Sequence, residues 1–181
     1  MLLFFTDLPK AATLLGGFVL AHAVWSVSDT SPAELLAPLA IIERSGQRTL
    51  QRFEAQTQVA AIENGKRAIA EAMRTSDAWA FAREGALRVP ATNPITSDVI
   101  VVDFWAKAMP TSATAYQRFE RSTPKRPFRL IGDPEIAIDG KMLDAHAAKS
   151  IVEALLRGVA SHSQVAPLWK DWRGKISPHG A

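Results

Sequence analysis

VIVVDFWAKA, residues 99–108, is the stretch that decides the class of this fold. Ile100, Val102, Phe104 and Ala106 fall on one face of an extended chain, and Val99, Val101 and Trp105 on the other. A segment apolar on both faces is a strand covered on both sides. Asp103 interrupts the second face. A carboxylate buried without a partner is costly, so it is expected to meet a cation, with Arg118 or Arg52 as the natural choices, or to sit at a sheet edge.

Working outward, Met109-Pro110-Thr111-Ser112 turns this strand back into Thr114 to Phe119. Upstream, AWAFA (78–82) reads as another strand, joined to the first by a proline-punctuated loop, Arg88 to Ser97. Before it, Leu39 to Arg44 and Arg48 to Phe53 flank Ser45-Gly46, a hairpin signal because Gly supplies the positive φ such turns need. Thr57 to Arg74 has Val59, Ile62, Ile69 and Met73 at helical spacing. A short strand near Glu135 to Ile138 and a turn at Asp139-Gly140 lead to a last helix beginning near Asp144. Ala148, Ile151, Val152, Leu155 and Val159 form its apolar stripe.

These elements predict an α+β protein: a largely antiparallel sheet from hairpins, packed by two longer helices. One domain is expected over 1–175, with pseudo-halves at about 18–74 and 78–160 and a disordered tail at 176–181. Gln51-Arg52-Phe53-Glu54 and Gln117-Arg118-Phe119-Glu120 end corresponding strands. They suggest a βββα unit used twice, with residues 121–138 inserted in the second copy.

The N-terminal region is expected to form a short helix over 7–16, a break at Gly16-Gly17, and a buried strand from Phe18 to Val27. Lys10, the apolar run Ala11 to Leu20 and Ala21-His22-Ala23 also have the form of an export signal cleaved near Ala23. Asp7 and the apolar Leu2-Leu3-Phe4-Phe5 oppose that, so a cytoplasmic location is the expectation and export the alternative. The run is short and interrupted, which argues against a membrane span.

The 181 residues are 48% hydrophobic and 22% charged, ordinary globular usage that excludes a disordered or fibrous chain. A mean hydropathy of +0.01 is slightly apolar and suits an associating surface. With no cysteine, disulfides, zinc–thiolate sites, iron–sulfur clusters and a thiol nucleophile are excluded. Neither a phosphate-binding glycine loop nor a hydrolase or metalloprotease motif is present, and no metal or cofactor is expected. His22, on an apolar stretch without a second ligand nearby, is expected to be structural and bonded to backbone.

The strongest charge feature is QRFERSTPKRPFR, residues 117–129. Arg118, Arg121, Lys125, Arg126 and Arg129 stand there against a single acid, Glu120, exceeding the net +3 of the whole chain. Phe119 and Phe128 are interleaved, which permits binding of nucleic acid or a phosphorylated small molecule. A solvated or salt-bridged loop is the simpler expectation. Trp169 and Trp172 near the end are candidate anchors for a protein partner, with packing on their own domain as the alternative.

Three functions fit these features. The leading one is a non-catalytic interaction protein, serving a protein partner in an antitoxin or immunity-type role or forming a homodimer across an exposed sheet edge. The second is an anion binder acting through residues 117–129. The third is an enzyme whose acids, Glu43, Glu84 or Asp103, meet an arginine only in the folded state.

Overall fold

The computed structural model describes residues 8–31, 34–88 and 96–174. The expected tail at 176–181 and most of the proline-punctuated loop before Ser97 lie outside these residues. The chain runs α1 (Lys10–Ser28), β1 (Leu39–Arg44), β2 (Gln47–Arg52), α2 (Gln58–Ala72), β3 (Ala78–Arg88) and β4 (Thr96–Ala106). Then follow β5 (Ala113–Glu120), β6 (Arg129–Ile138), β7 (Lys141–Met142), α3 (Ala145–Ala160) and α4 (Ala166–Trp172). The strands form one curled antiparallel sheet in the order β2-β1-β3-β4-β5-β6-β7. An α+β protein with helices packed on an antiparallel sheet is what the alternation of residues 99–108 predicted.

Both faces of β4 are covered at its Ala106 end. Ile100, Val102, Phe104 and Ala106 join the main core with α1, α3, Ala80, Ala82 and Ile136. On the opposite face Trp79 and Phe81 meet Ala40, Ile42, Phe53 and the α2 residues Ile69 and Ala72, with Trp105 packed alongside. Both long helices foreseen in the sequence begin at side-chain caps. Thr57 Oγ1 accepts from the Ala60 N–H at 3.2 Å, and Asp144 Oδ1 accepts from the Ala147 N–H at 2.8 Å.

The N-terminal expectation is overturned. Residues 18–27 are no strand, and Gly16-Gly17 is no break; both belong to α1. This helix lies between the sheet and α3, with Leu15, Val19, Leu20 and Val24 fully buried. Eleven of its 19 residues are buried and several of those left more open, such as Leu14, Phe18 and Trp25, are apolar too, so the sequence carries no clear helical stripe to read. The glycine serves packing. A Cβ on Gly17 would stand 1.9 Å from the Leu155 carbonyl oxygen, and one on Gly158 would stand 2.3 Å from that of Leu14. The two helices therefore touch backbone to backbone. By length and composition α1 is apolar enough to cross a membrane, but here it is a core helix. A cut near Ala23 would fall inside it.

β3 continues to Arg88 rather than stopping at Ala82, because Arg83 and Glu84 end the apolar run without ending the strand. β6 spans Arg129–Ile138, so the strand expected near Glu135 to Ile138 begins six residues earlier. The element order also differs between the proposed halves, since the first opens with a helix. Gln51 lies exposed on the edge strand β2 while Gln117 is fully buried in β5, so the shared letters occupy unlike places.

Candidate functional site

The Ser45-Gly46 hairpin leads into β2, a strand exposed at all six residues. Both turn residues have positive φ, 50° and 77°, the geometry of a two-residue turn that matches strand twist. Such a turn makes Arg44 and Gln47 a hydrogen-bonded pair. Alternation then directs the N–H and C=O groups of Gln47, Thr49 and Gln51 toward β1. Those of Arg48, Leu50 and Arg52 point away from it. The Phe53 N–H donating to the Pro38 carbonyl at 2.8 Å keeps the same phase. β2 ends the sheet, all six of its residues are exposed, and no described strand pairs with its outer side.

The side chains of Arg48 and Arg52 reach back to α1, where Phe18, His22 and Trp25 share one stripe at i, i+4 and i+7. The Arg48 guanidinium lies 5.6 Å from the Phe18 ring centre and its Nε donates to Glu43 at 2.9 Å. Arg52 Nη2 lies 3.3 Å from His22 Nε2, and His22 Nδ1 lies 3.2 Å from His162 Nε2. A guanidinium can only donate, so His22 Nε2 accepts and its Nδ1 carries the proton donated to His162. His162 Nδ1 must then carry a proton too, and that atom is buried without a partner. Phe18 stacks on His162 at 4.7 Å, and Trp25 sets its edge against both imidazoles.

This arrangement favours neutral rings. Burial, then the Arg52 charge, then His162 itself lower the His22 pKa below its ordinary 6.5. Burial likewise lowers that of His162. Among the described residues no third metal-ligating side chain joins the pair. The expectation that His22 bonds to backbone is thus corrected: its partners are two side chains from distant elements.

The basic segment is taken apart by the fold. Arg118 pairs with Glu135 at 2.9 Å, Arg121 with Glu84 at 2.6 Å, and Arg129 with Glu120 at 2.6 Å. Arg121 also donates to Thr30 Oγ1 at 3.1 Å, joining the loop after α1 to the sheet. Lys125 and Arg126 remain exposed on a tight turn closed by Thr123, whose hydroxyl accepts from both of their N–H groups. Phe119 and Phe128 are both buried, 5.7 Å apart.

The three acids are not gathered either. Asp103 pairs with Arg83 and accepts from Thr114 Oγ1 at 2.7 Å, on the face opposite Glu84; Arg118 and Arg52, its expected partners, are engaged elsewhere. Glu43 lies opposite Ala78, and Glu84 lies six residues further along β3, so about 20 Å of strand separates their positions. Trp169 is 5% exposed within the main core, and Trp172 sets its edge against Phe128 at 5.4 Å. Both tail tryptophans pack on their own domain.

A cleft of about 470 Å³ lies between β6 and α3, lined by Ile136, Leu143, Ala148 and Val152 with Lys149 and Glu153. Its other charged groups, Asp133, Glu135 and Arg173, are tied to each other or to Arg118. Compared with protein-family models, curated proteins and solved structures, the chain matches none.

Arg48, Leu50 and His162 are site residues that sequence reasoning passed over, and Arg52 was assigned to Asp103 instead of His22. Arg48, Leu50 and Arg52 carry a period-two signal, arginine, leucine, arginine, but their exposure follows from β2 being outermost. His162 meets His22 across 140 positions, and nothing local announces that contact.

Proposed function

We propose that this protein binds a partner protein by accepting an extended, carboxylate-bearing segment of it as an added strand on the free edge of β2. The observation that carries this reading is the edge itself: six exposed residues, with the backbone groups of Arg48, Leu50 and Arg52 turned outward. An unpaired edge of this length invites a further strand, and main-chain bonds supply the affinity in such additions.

Charge selects the occupant. Two copies of the chain pairing antiparallel about Leu50 would set Arg48 of each copy opposite Arg52 of the other, and like charges directly opposite are destabilising. A strand with carboxylates four residues apart and an apolar residue midway between them would meet Arg52, whose partner is the His22 imidazole, share Arg48 with Glu43, and lay the apolar residue on Leu50, which is 45% exposed. The anion-binding alternative over residues 117–129 has less support, since Arg118, Arg121 and Arg129 already hold carboxylates.

The test is a titration with a synthetic peptide of the repeat Glu-Thr-Val-Thr, which sets glutamate and valine in turn along one face, followed by amide resonances. Shifts concentrated at Arg48, Leu50 and Arg52, with slowed exchange of their N–H groups, are expected. The same repeat with lysine in place of glutamate should leave them unmoved. Leu50→Pro removes one outward N–H at an edge position where proline is tolerated, and should abolish binding without unfolding the sheet. Equal response to both peptides, shifts located elsewhere, or a stable dimer built through β2 would overturn the reading.

A further inference from the structure

The chain Arg52–His22–His162 ties the proposed docking edge to the helical layer, and we infer that it is an acid-operated latch on β2. Held shut, it depends on one lone pair. Arg52 Nη2 donates to His22 Nε2 at 3.3 Å, which is possible only while that nitrogen is unprotonated. A proton taken up there turns the acceptor into a donor and sets an imidazolium against a guanidinium. A proton taken up by His162 at Nε2 has a similar effect one step along, because His22 Nδ1 must then surrender its role as donor. In either case Arg52 loses its acceptor and is released toward the edge.

The surroundings leave the added charge unbalanced. On β2 the facing charges are Arg52 and Arg48, and Glu43 beside them is taken up by Arg48. α1 carries no charged side chain between Lys10 and Asp29. The charge α3 brings in its last turn is Arg157, which lies with Lys10 and Thr13 at the other end of α1. The aromatic walls, Phe18 and Trp25, offer ring faces and edges but no carboxylate. The imidazoles contact each other, Arg52 and aromatic rings, so acidification strains the cluster and is relieved by letting Arg52 go. Histidine is the side chain suited to this near neutral pH.

The latch rests on the docking reading only for its purpose; its mechanism is testable alone. Imidazole resonances of His22 and His162, and the Arg52 Nε–Hε resonance, are followed in the whole protein from about pH 7.5 to about pH 5. The Arg52 signal is expected to move with the midpoint of the imidazole titration. In His22→Gln, whose side-chain oxygen still accepts from Arg52 but does not titrate, that movement should disappear. An Arg52 signal that ignores the imidazoles, or moves identically in His22→Gln, overturns the latch.

The glutamate–valine peptide supplies the second arm. Its affinity should rise on acidification by up to roughly five-fold, the worth of one exposed ion pair, and His22→Gln should remove the rise. Joint titration of Arg52 and His22 without peptide binding at either pH would uphold the latch and sink the docking reading. Binding that does not vary with pH would uphold docking and overturn the latch.

Discussion

Arg121 donates to Glu84 at 2.6 Å with both side chains less than a tenth exposed, fastening the segment after β5 to the middle of β3. Glu84 uses its second oxygen to accept from the Leu36 N–H at 2.9 Å, and Arg121 uses its second nitrogen on Thr30. The pair therefore gathers the connection from α1 to β1 as well. Glu84→Gln leaves a buried guanidinium without its counter-charge, which costs about 3–5 kcal/mol. Replacing both partners, as Glu84→Leu with Arg121→Met, should recover most of that loss. Urea unfolding of the three proteins checks it, and a double variant as unstable as the single one would contradict it.

Contact between α1 and α3 admits no side chain at Gly17. Gly17→Ala drives a Cβ into the Leu155 carbonyl, a backbone atom that cannot swing aside. Overpacking of this kind costs at least about 1–3 kcal/mol, and Gly158→Ala should do the same. Gly85→Ala makes only ordinary contacts with Val99 and Val101 and should change the unfolding midpoint little.

Stability should fall on mild acidification. Both His22 and His162 hold protons less readily in the folded state than the ordinary 6.5 of an unfolded histidine. Unfolding therefore takes up protons once the pH drops below that value. The contribution is complete above about pH 6.5 and is lost as the pH falls toward the lowered folded-state midpoints. Asp77 and Glu120 are also lowered, first by hydrogen bonds from Lys107 and Arg129, but from 3.8 and 4.5, so their losses come at stronger acid. Denaturation midpoints between these two windows isolate the histidines, and His22→Gln or His162→Gln should flatten the slope there.

Trp169 is a core residue by its surroundings, and its removal should register as lost stability. Trp169→Ala should cost about 3–5 kcal/mol, the range for deleting a buried aromatic. Trp172→Ala, at a half-buried position against Phe128, should cost less. Thermal unfolding of both variants decides it; a fully stable Trp169→Ala protein would return this residue to the surface.

Much of the sheet was legible because its signals are local. Residues 99–108 alternate over two apolar faces, Ser45-Gly46 marks a tight turn, and apolar residues at helical spacing begin near Thr57 and Asp144. α1 was misread because apolar residues stand at its more open positions as well as its buried ones, which blurs the helical period. The site was less legible still. Arg121, Arg118 and Arg129 looked like one basic patch because their counter-charges Glu84, Glu135 and Glu120 are assigned by strand register, which no short window displays. The histidine pair depends on α1 lying against the turn after α3, a packing choice made by apolar surface elsewhere.

The enclosure of α1 also bears on how the chain acquires its shape. Its covering surfaces come from β3, β4 and α3, all made later than the helix itself. During synthesis, therefore, nineteen mostly apolar residues wait first for β3 and β4 to cover one side and then for α3 to cover the other. Assembly is governed by long-range contacts, which form slowly. The interval before α3 docks is when this protein is most open to wrong associations.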